Sequence, residues 1–533
     1  MKVALFQGNF RVGDFAGNAE KIIRASHTAK ARGADLLLTP ELCLSGYCPE
    51  DLLLRPDFLA ASDRVLRSLA QEVVIPVLVG HPAAEGERIF NRASLVAEGN
   101  VFGHHDKMCL PNYGVFDDLR YFSPGTAPFV FSLCKVKAAA LICEDIWHPG
   151  PALAARARGA KALLVLNASP YHLQKTHTRL AIARSRAREA GLDVLFLNTV
   201  GGQDDLVFDG GSFFLDAQGE IKARFPLFQE FLGIVCLGEE DKSSGFFAEG
   251  LGEEEEIYQA LCLALADYVG KNGFASVLVG VSGGVDSALT LTICRDALGP
   301  GQVKGVFMPS RYTSAMSGED ALALSQNLGV ELLNLGLERV FEAFLQELSP
   351  HFLGLAPDIT EENLQARIRG TLLMALANKF KSLVVATGNK SEMATGYATL
   401  YGDMAGGFAL LKDVSKAWVY RLCRWRNNQN RVIPERVLFR PPSAELRHEQ
   451  VDEDTLPPYE RLDAILENYV ERDLGLEDLV SEGFSREEAA RVIRMVEKNE
   501  YKRRQAPIGP KMSVRAFGRD RRLPVTHHFL PES

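Results

Sequence analysis

No two cysteines stand as a C-x-x-C pair, and the nine present (positions 43, 48, 109, 134, 143, 236, 262, 294 and 423) are scattered and odd in number. That pattern offers neither a disulfide framework nor a thiolate zinc site, and a reducing, cytoplasmic location is expected. No histidines have H-E-x-x-H spacing, so His104, His105, His172 and His177 are expected at the surface or in a substrate pocket rather than on a metal. No apolar run approaches the roughly 18 residues of a membrane-spanning helix, and only Val3 to Phe6 precede Gln7, too short a stretch for a signal peptide. Positive charge is also scarce. Lys plus Arg number 59 against 68 Asp plus Glu, net -9, which excludes a global field for nucleic acid; neither a nucleic-acid nor a membrane partner is expected. The one Gly-Lys dipeptide, Gly270-Lys271, is followed by Asn272, so there is no Walker loop. Internal repeats and long low-complexity tracts are missing too.

What is present is a globular composition, 47% hydrophobic and 24% charged, over 533 residues. At roughly 150 residues per domain this predicts two to four units. Short apolar runs at 3–6, 35–39, 73–80, 138–143, 162–167 and 194–198 read as strands, with a helix over 18–32. From Gly238 to Glu256 the chain turns glycine-, serine- and acid-rich, which predicts a first domain over 1–245, a linker over 246–256 and a second domain over 257–533 that ends in a basic tail. The second half reads as alternating helix and strand: helices at 257–270, 288–298, 318–328 and 361–380, strands at 276–281, 303–308 and 382–386. This is an α/β pattern with a parallel sheet, whose ligands gather at the carboxyl edge.

Two constellations carry chemistry. Ser282-Gly283-Gly284-Val285-Asp286-Ser287 lies between a strand and a helix, where backbone N–H groups and the helix dipole favour a phosphate. A carboxylate inside such a loop repels phosphate unless a cation such as Mg²⁺ bridges them, so Asp286 points to a metal-bridged polyphosphate, with Glu392 as a second candidate ligand. In the first half Glu41 and Cys143 each stand at a strand exit, and Lys107 lies in a loop before Pro111. A carboxylate can take a thiol proton, the thiolate can attack an amide carbonyl, and an ammonium can stabilise the oxyanion. His148, five residues past Cys143, is the rival partner of a Cys-His pair.

The strings around Glu41, Lys107 and Cys143 resemble the Glu-Lys-Cys triad of the nitrilase family, and the glycine loop resembles the pyrophosphate loop of the ATP pyrophosphatase superfamily. In this order, and with M-P-S-R-Y-T-S (308–314), A-T-G-N-K-S-E (386–392), P-P-S-A-E-L-R (441–447), D-E-D-T-L-P-P-Y (452–459) and K-R-R-Q-A-P-I-G-P-K (502–511), nearly the whole chain is similar to the glutamine-dependent NAD⁺ synthetase family. That resemblance implies a nitrilase-like α-β-β-α sandwich followed by an adenine-nucleotide alpha-hydrolase-like, Rossmann-like parallel sheet. It implies a ligase of NAD biosynthesis that adenylates nicotinic acid adenine dinucleotide (deamido-NAD⁺) with ATP and Mg²⁺, then amidates it with ammonia from L-glutamine channelled between the domains. A homo-oligomer is implied as well.

Carried over position by position, the resemblance implies catalytic Glu41, Lys107 and Cys143, and glutamine contacts from Tyr113, Phe116, Ser169 and Lys175. It implies ATP contacts from Gly280, Ser282, Gly283, Gly284, Val285, Asp286, Ser287 and Thr387, and metal ligation by Asp286 and Glu392. Deamido-NAD⁺ contacts are implied for Asn363, Arg367, Glu392, Asp403, Lys416 and Lys511. Lys412 is an alternative to Lys416, and Lys511 is alternatively a solvated charge. Two departures stand out: Asp118 where Glu is common, which bears on glutamine positioning, and Val285 where Ile is common, a change of volume only. A nitrilase-type hydrolase that merely senses ATP and a non-catalytic dinucleotide-binding regulator remain as alternatives.

Overall fold

The computed structural model describes residues 1–238, 245–448 and 450–530. Residues 239–244 of the acid-rich stretch, and the last three of the tail, lie outside the described residues. The chain divides into two compact units, Met1–Leu251 and Gly252–Ser533. No described helix is long and apolar enough to cross a membrane.

In the first unit the strands are β1 (Lys2–Gln7), β2 (Leu36–Leu38), β3 (Val77–Glu85), β4 (Arg88–Ala97), β5 (Asn100–Asp106), β6 (Phe129–Leu133), β7 (Val136–Ile142), β8 (Ala162–Asn167) and β9 (Asp193–Asn198). A hairpin of β10 (Val200–Gln203) and β11 (Leu206–Asp209) follows, then β12 (Phe213–Leu215), β13 (Ile221–Arg224) and β14 (Phe231–Cys236). They form two six-stranded sheets, ordered β14-β1-β2-β3-β4-β5 and β13-β12-β9-β8-β7-β6. Helices α1 (Phe15–Ala31) and α2 (Pro56–Glu72) cover the first sheet; a short α3 (Asp118–Tyr121) follows, and α4 (Pro149–Ala157) and α5 (Lys175–Ala190) cover the second.

The sequence dictates this layering through the period of two. Leu163 and Val165 of β8 pack with Ala152, Ala183 and Ala187 of the helices, while Leu164 and Leu166 pack with Leu5, Leu36 and Leu38 of the other sheet. Strands buried on both faces carry near-continuous apolar runs, and every residue of β8 and β9 is buried. The result is the α-β-β-α order that the family resemblance implies. The strand expected at 73–80 begins only at Val77, because Val73 still caps α2, and it runs on to Glu85 in an antiparallel meander with β4 and β5.

In the second unit α6 (Glu253–Asn272) starts four residues before the expected 257, since four successive glutamates occupy its first turn, where the helix dipole favours them. Then come β15 (Val277–Gly280), α7 (Val285–Leu298), β16 (Val303–Phe307), α8 (Ala315–Leu328), β17 (Glu331–Asn334), α9 (Glu338–Leu348), α10 (Ile359–Phe380), β18 (Leu383–Ala386), α11 (Lys390–Thr395), β19 (Phe408–Ala409) and α12 (Lys416–Gln429). The sheet is parallel throughout, ordered β17-β16-β15-β18-β19. Its order reverses between β15 and β18, so a crevice opens at their carboxyl ends. Helix α7 begins at Val285 rather than the expected 288, which puts Asp286 and Ser287 in its first turn. The terminal helices Tyr459–Leu466 and Arg486–Lys498 form a separate apolar cluster with Ala394 of α11.

Leu164 is fully buried between the two sheets of the first unit. Leu164→Ala leaves a cavity there and is expected to cost about 2–5 kcal/mol, read as a lower denaturant midpoint.

Candidate functional site

The first candidate site lies where the strands of Met1–Leu251 end. Glu41 follows β2, Lys107 follows β5, Cys143 follows β7 and Ser169 follows β8. Lys107 is wholly cut off from solvent, and its Nζ lies 2.8 Å from Glu41 Oε1 and 2.7 Å from Asp118 Oδ2. A buried ammonium needs such partners. Together the two carboxylates push its pKa well above the ordinary lysine value against the pull of burial. Glu41 is held from both sides: Asn91 Nδ2 also donates to Oε1 at 2.8 Å, and the Ala168 N–H to Oε2 at 2.9 Å. Asp118, the departure noted in the sequence, is therefore a partner of the lysine.

Cys143 is buried and takes φ +44°, a left-handed conformation uncommon for a side-chain-bearing residue, as the chain leaves β7 for a single 3₁₀ turn. Burial, and then the charge of Glu41, raise its thiol pKa well above the usual value; Lys107 acts in the opposite direction. The resting sulfur is a thiol that needs a base, not a free thiolate.

Asp145, two residues on, fixes this turn. Its Oδ2 accepts from the Ile142 N–H at 3.0 Å and lies 2.8 Å from His105 Nε2, while Oδ1 accepts from the N–H groups of Met108 and Cys109 at 2.9 and 2.8 Å. One buried carboxylate thus ties the loop of Lys107 to the turn of Cys143. His105, expected at the surface or in a pocket, is instead fully buried, because it completes this hub. His148 lies 3.5 Å from Glu144, so its near charged neighbour is that carboxylate.

Of the expected glutamine contacts, Tyr113 donates from its hydroxyl to Glu144 (3.0 and 3.1 Å) and meets Phe116 edge to face at 5.7 Å. Lys175 Nζ sits 4.5 Å over the Trp147 ring. Ser169 Oγ accepts from Arg179 Nε at 3.0 Å, and Arg179 in turn is paired with Asp209 at 2.6 Å.

The second candidate site is the crevice of Gly252–Ser533, a cavity of about 390 Å³. The whole loop from Gly280 to Ser287 lines it, with Thr387, Asn363, Glu392, Asp403 and Lys416. Gly283 has φ +85°, and a Cβ there would lie 2.5 Å from the Ser317 carbonyl oxygen, so the loop requires glycine. Ser287 Oγ accepts from the Ser282 N–H at 3.2 Å and donates to the Gly284 carbonyl at 3.0 Å, which closes the turn ahead of the α7 N-terminus.

Lys416 Nζ stands 2.6 Å from Asp286 Oδ2 and 3.5 Å from Glu392 Oε1. Burial, with the charge of Asp286 next, pushes the Glu392 carboxyl up to about 8. With Glu392 mostly protonated near neutrality, Asp286 and the Lys416 ammonium balance, and loss of the Glu392 proton adds a second carboxylate to the site. A hard divalent cation that completes its shell with phosphate oxygens and water fits that donor set. Among the described residues no cluster of three or more His, Cys, Asp or Glu forms a self-sufficient metal cage.

Two expected contacts lie elsewhere. Arg367 is exposed and donates to the Leu400 carbonyl at 3.3 Å; at about 100° per residue it lies about 100° from the centre of the α10 face that lines the cavity. Lys511 is buried in the C-terminal segment, donating to the Val514 carbonyl at 2.7 Å and paired with Asp520, so it is neither at the cavity nor a solvated charge. Lys412 donates to the Pro507 carbonyl at 2.7 Å, outside the cavity lining. The lining also includes Arg369, Arg440 and Glu445, which sequence reasoning did not single out. The 3- and 4-residue spacing along α10 was the available signal for Arg369.

The family model described as NAD synthase matches residues 257–506, and the one described as Carbon-nitrogen hydrolase matches residues 2–238. The chain is 46% identical to the glutamine-dependent NAD(+) synthetase of Thermotoga maritima over 570 residues, covering 99% of each chain. It is 45% identical to that of Acinetobacter baylyi over 537 residues, covering 100% of this chain and 99% of the relative. A solved structure of glutamine-dependent NAD+ synthetase from Acinetobacter baumannii, in complex with adenosine diphosphate, is similar with a TM-score of 0.80 at 43% identity over 98% of each chain.

Because the Cys143 pKa is raised, its thiolate fraction keeps growing above pH 9. Inactivation of glutamine hydrolysis by iodoacetamide is therefore expected still to accelerate at about pH 10, where an exposed thiol of pKa about 8.5 has levelled off. Asp145→Ala strands three backbone N–H groups and His105 together; it is expected to lower the thermal midpoint and slow glutamine hydrolysis at least tenfold.

Proposed function

The chain belongs to the glutamine-dependent NAD⁺ synthetases, and from that membership we propose how its residues divide the reaction. The first unit hydrolyses L-glutamine. Glu41 takes the proton of Cys143, the sulfur attacks the carboxamide carbon, and the Lys107 ammonium stabilises the oxyanion. Ammonia leaves with the returned proton, and water releases glutamate from the thioester. Tyr113, Phe116, Ser169 and Lys175 hold the substrate.

The second unit takes ATP and deamido-NAD⁺. The pyridine carboxylate attacks the α-phosphorus, pyrophosphate leaves into the loop Ser282–Ser287 and the positive end of α7, and ammonia displaces AMP from the acyl-adenylate to give NAD⁺. Asp286 and Glu392 hold Mg²⁺, which when bound neutralises phosphate charge. Thr387 contacts ATP; Asn363, Asp403 and Lys416 contact the substrates from the cavity wall. The observation that carries this reading is the coincidence, in one chain, of the Glu41–Lys107 pair beside Cys143 and a glycine loop opening on a cavity that also holds Asp286 and Glu392. Nine free cysteines support a reducing, cytoplasmic location, and the family resemblance supports a homo-oligomer, which sedimentation measures.

Glutamine labelled in its amide nitrogen is expected to pass label to NAD⁺ with release of AMP and pyrophosphate. Label absent from the product, or ADP as the spent nucleotide, overturns the reading. Cys143→Ala is expected to abolish glutamine-dependent synthesis and retain synthesis from ammonium salt. Asp286→Ala should lower both by at least a hundredfold, measured as NAD⁺ formed.

A further inference from the structure

Four cationic side chains line the cavity of the second unit: Arg369, Lys416, Arg440 and Lys502. Three have their charge or donors engaged by the protein. Lys416 is paired with Asp286, Arg440 with Glu445, and Lys502 donates to the carbonyls of Gly396 and Ala398 at 2.7 and 2.8 Å. Arg369 differs. Its Nε donates to the Met308 carbonyl at 3.2 Å, and among the described residues no carboxylate stands at ion-pair distance from its guanidinium. The Nη groups, four N–H donors in a planar fork, are left to the cavity. Glu445 and Asp403 act on it only at longer range, and burial lowers its pKa to about 10, the mark of a cation that has lost water without gaining a partner.

The position is fixed by helical phase. Ile359, Glu362, Asn363, Ala366, Arg369 and Leu373 line the cavity, and at about 100° per residue they share an arc of about 120° on α10. The bond to Met308 at the carboxyl side of β16 then anchors the guanidinium plane, so its fork meets a ligand in one orientation. An unneutralised planar fork at the wall of a phosphate-loop cavity suits a phosphate oxygen pair, which guanidinium binds in a bidentate manner.

We propose that Arg369 is the clamp for a second phosphate group in this cavity, distinct from the pyrophosphate held by the loop Ser282–Ser287. The inference deepens the reading of this unit as the ATP- and dinucleotide-binding half. Two sources share the chemistry: the phosphate bridge of deamido-NAD⁺ and the remaining phosphate of ATP.

The test is steady-state kinetics of the full chain with ammonium salt, for Arg369→Met and Arg369→Lys, varying ATP and deamido-NAD⁺ separately, with calorimetric titration of each nucleotide as a readout free of turnover. Arg369→Met is expected to raise the KM and calorimetric Kd of one nucleotide at least tenfold, with kcat within threefold of the parent if that nucleotide is the dinucleotide and lowered as well if it is ATP, whose α-phosphorus is attacked. A rise for the dinucleotide assigns the clamp to its bridge, and a rise for ATP assigns it to the triphosphate. Unchanged KM and Kd for both nucleotides overturn the proposal. If Arg369→Met loses its cooperative thermal transition, Arg369→Lys decides: a threefold or greater KM rise supports a bidentate clamp, and unchanged KM overturns it. Failure of the parent protein to form NAD⁺ sinks the functional reading alone, because the calorimetric comparison still reports on Arg369.

Discussion

A lysine ammonium shut away from water persists only where negative charge surrounds it, and each candidate site is built on such a lysine. Lys107 lies between Glu41 and Asp118, Lys416 between Asp286 and Glu392. Removing one partner from a buried pair of this kind typically costs about 3–5 kcal/mol, so the geometry is strongly enforced. Both trios contain two carboxylates for one ammonium, and that imbalance governs what each can do. Beside Cys143 it adds to burial in opposing a second anion, so the thiol stays protonated at rest. Around Lys416, burial and then the Asp286 charge push the Glu392 carboxyl up to about 8, so it is mostly protonated near neutrality, and a further cation would favour the ionised form.

The fold supplies these charges by delivering them from strand ends. In the first unit the parallel strands β7 and β8 end side by side, which brings Cys143 and Ser169 to the same edge as Glu41. In the second, the switch in strand order between β15 and β18 puts the glycine loop opposite the segment that carries Thr387 and leads to Glu392. Loops at such edges would be loose without internal restraint, and buried carboxylates provide it. Asp145 gathers three backbone N–H groups and His105, and Asp413 accepts from Met512 and Ser513 while pairing with Lys390 at the start of α11.

Much of this was legible in the sequence because it is local. Runs such as Ala162–Asn167 announce strands buried on both faces, and the order strand, glycine loop, helix announces an anion site. The restraints were not legible, because they join residues far apart in the chain. Nothing near Asp145 says that its partners lie at 105, 108 and 109, and the Asp118–Lys107 contact reads in sequence only as a departure from a common glutamate. The surroundings of Lys511 were hidden for the same reason: a lysine in a basic run looks solvated, yet Asp520, nine residues on, folds back onto it. Arg367 is a different case. The resemblance implies a contact from Arg367 on α10, but helix rotation decides which guanidinium faces the cavity, and that phase is set by the apolar contacts of Ile368 and Leu373 with Leu278 and Val384.

The charge excess also orders events in time. A nucleophile kept as a buried thiol is poorly reactive toward oxidants, since oxidation follows thiolate character and exposure. In the reaction proposed above it becomes a nucleophile as its proton moves to Glu41, a transfer made favourable when the developing negative charge passes on to an oxyanion beside Lys107. The lysine is already preorganised there by Glu41 and Asp118, so no reorganisation is needed at the moment of attack. The price is a resting site with one carboxylate in excess over its ammonium. Burial and that excess charge disfavour idle thiolate, and under the proposed mechanism this would tie the release of ammonia to the arrival of an amide.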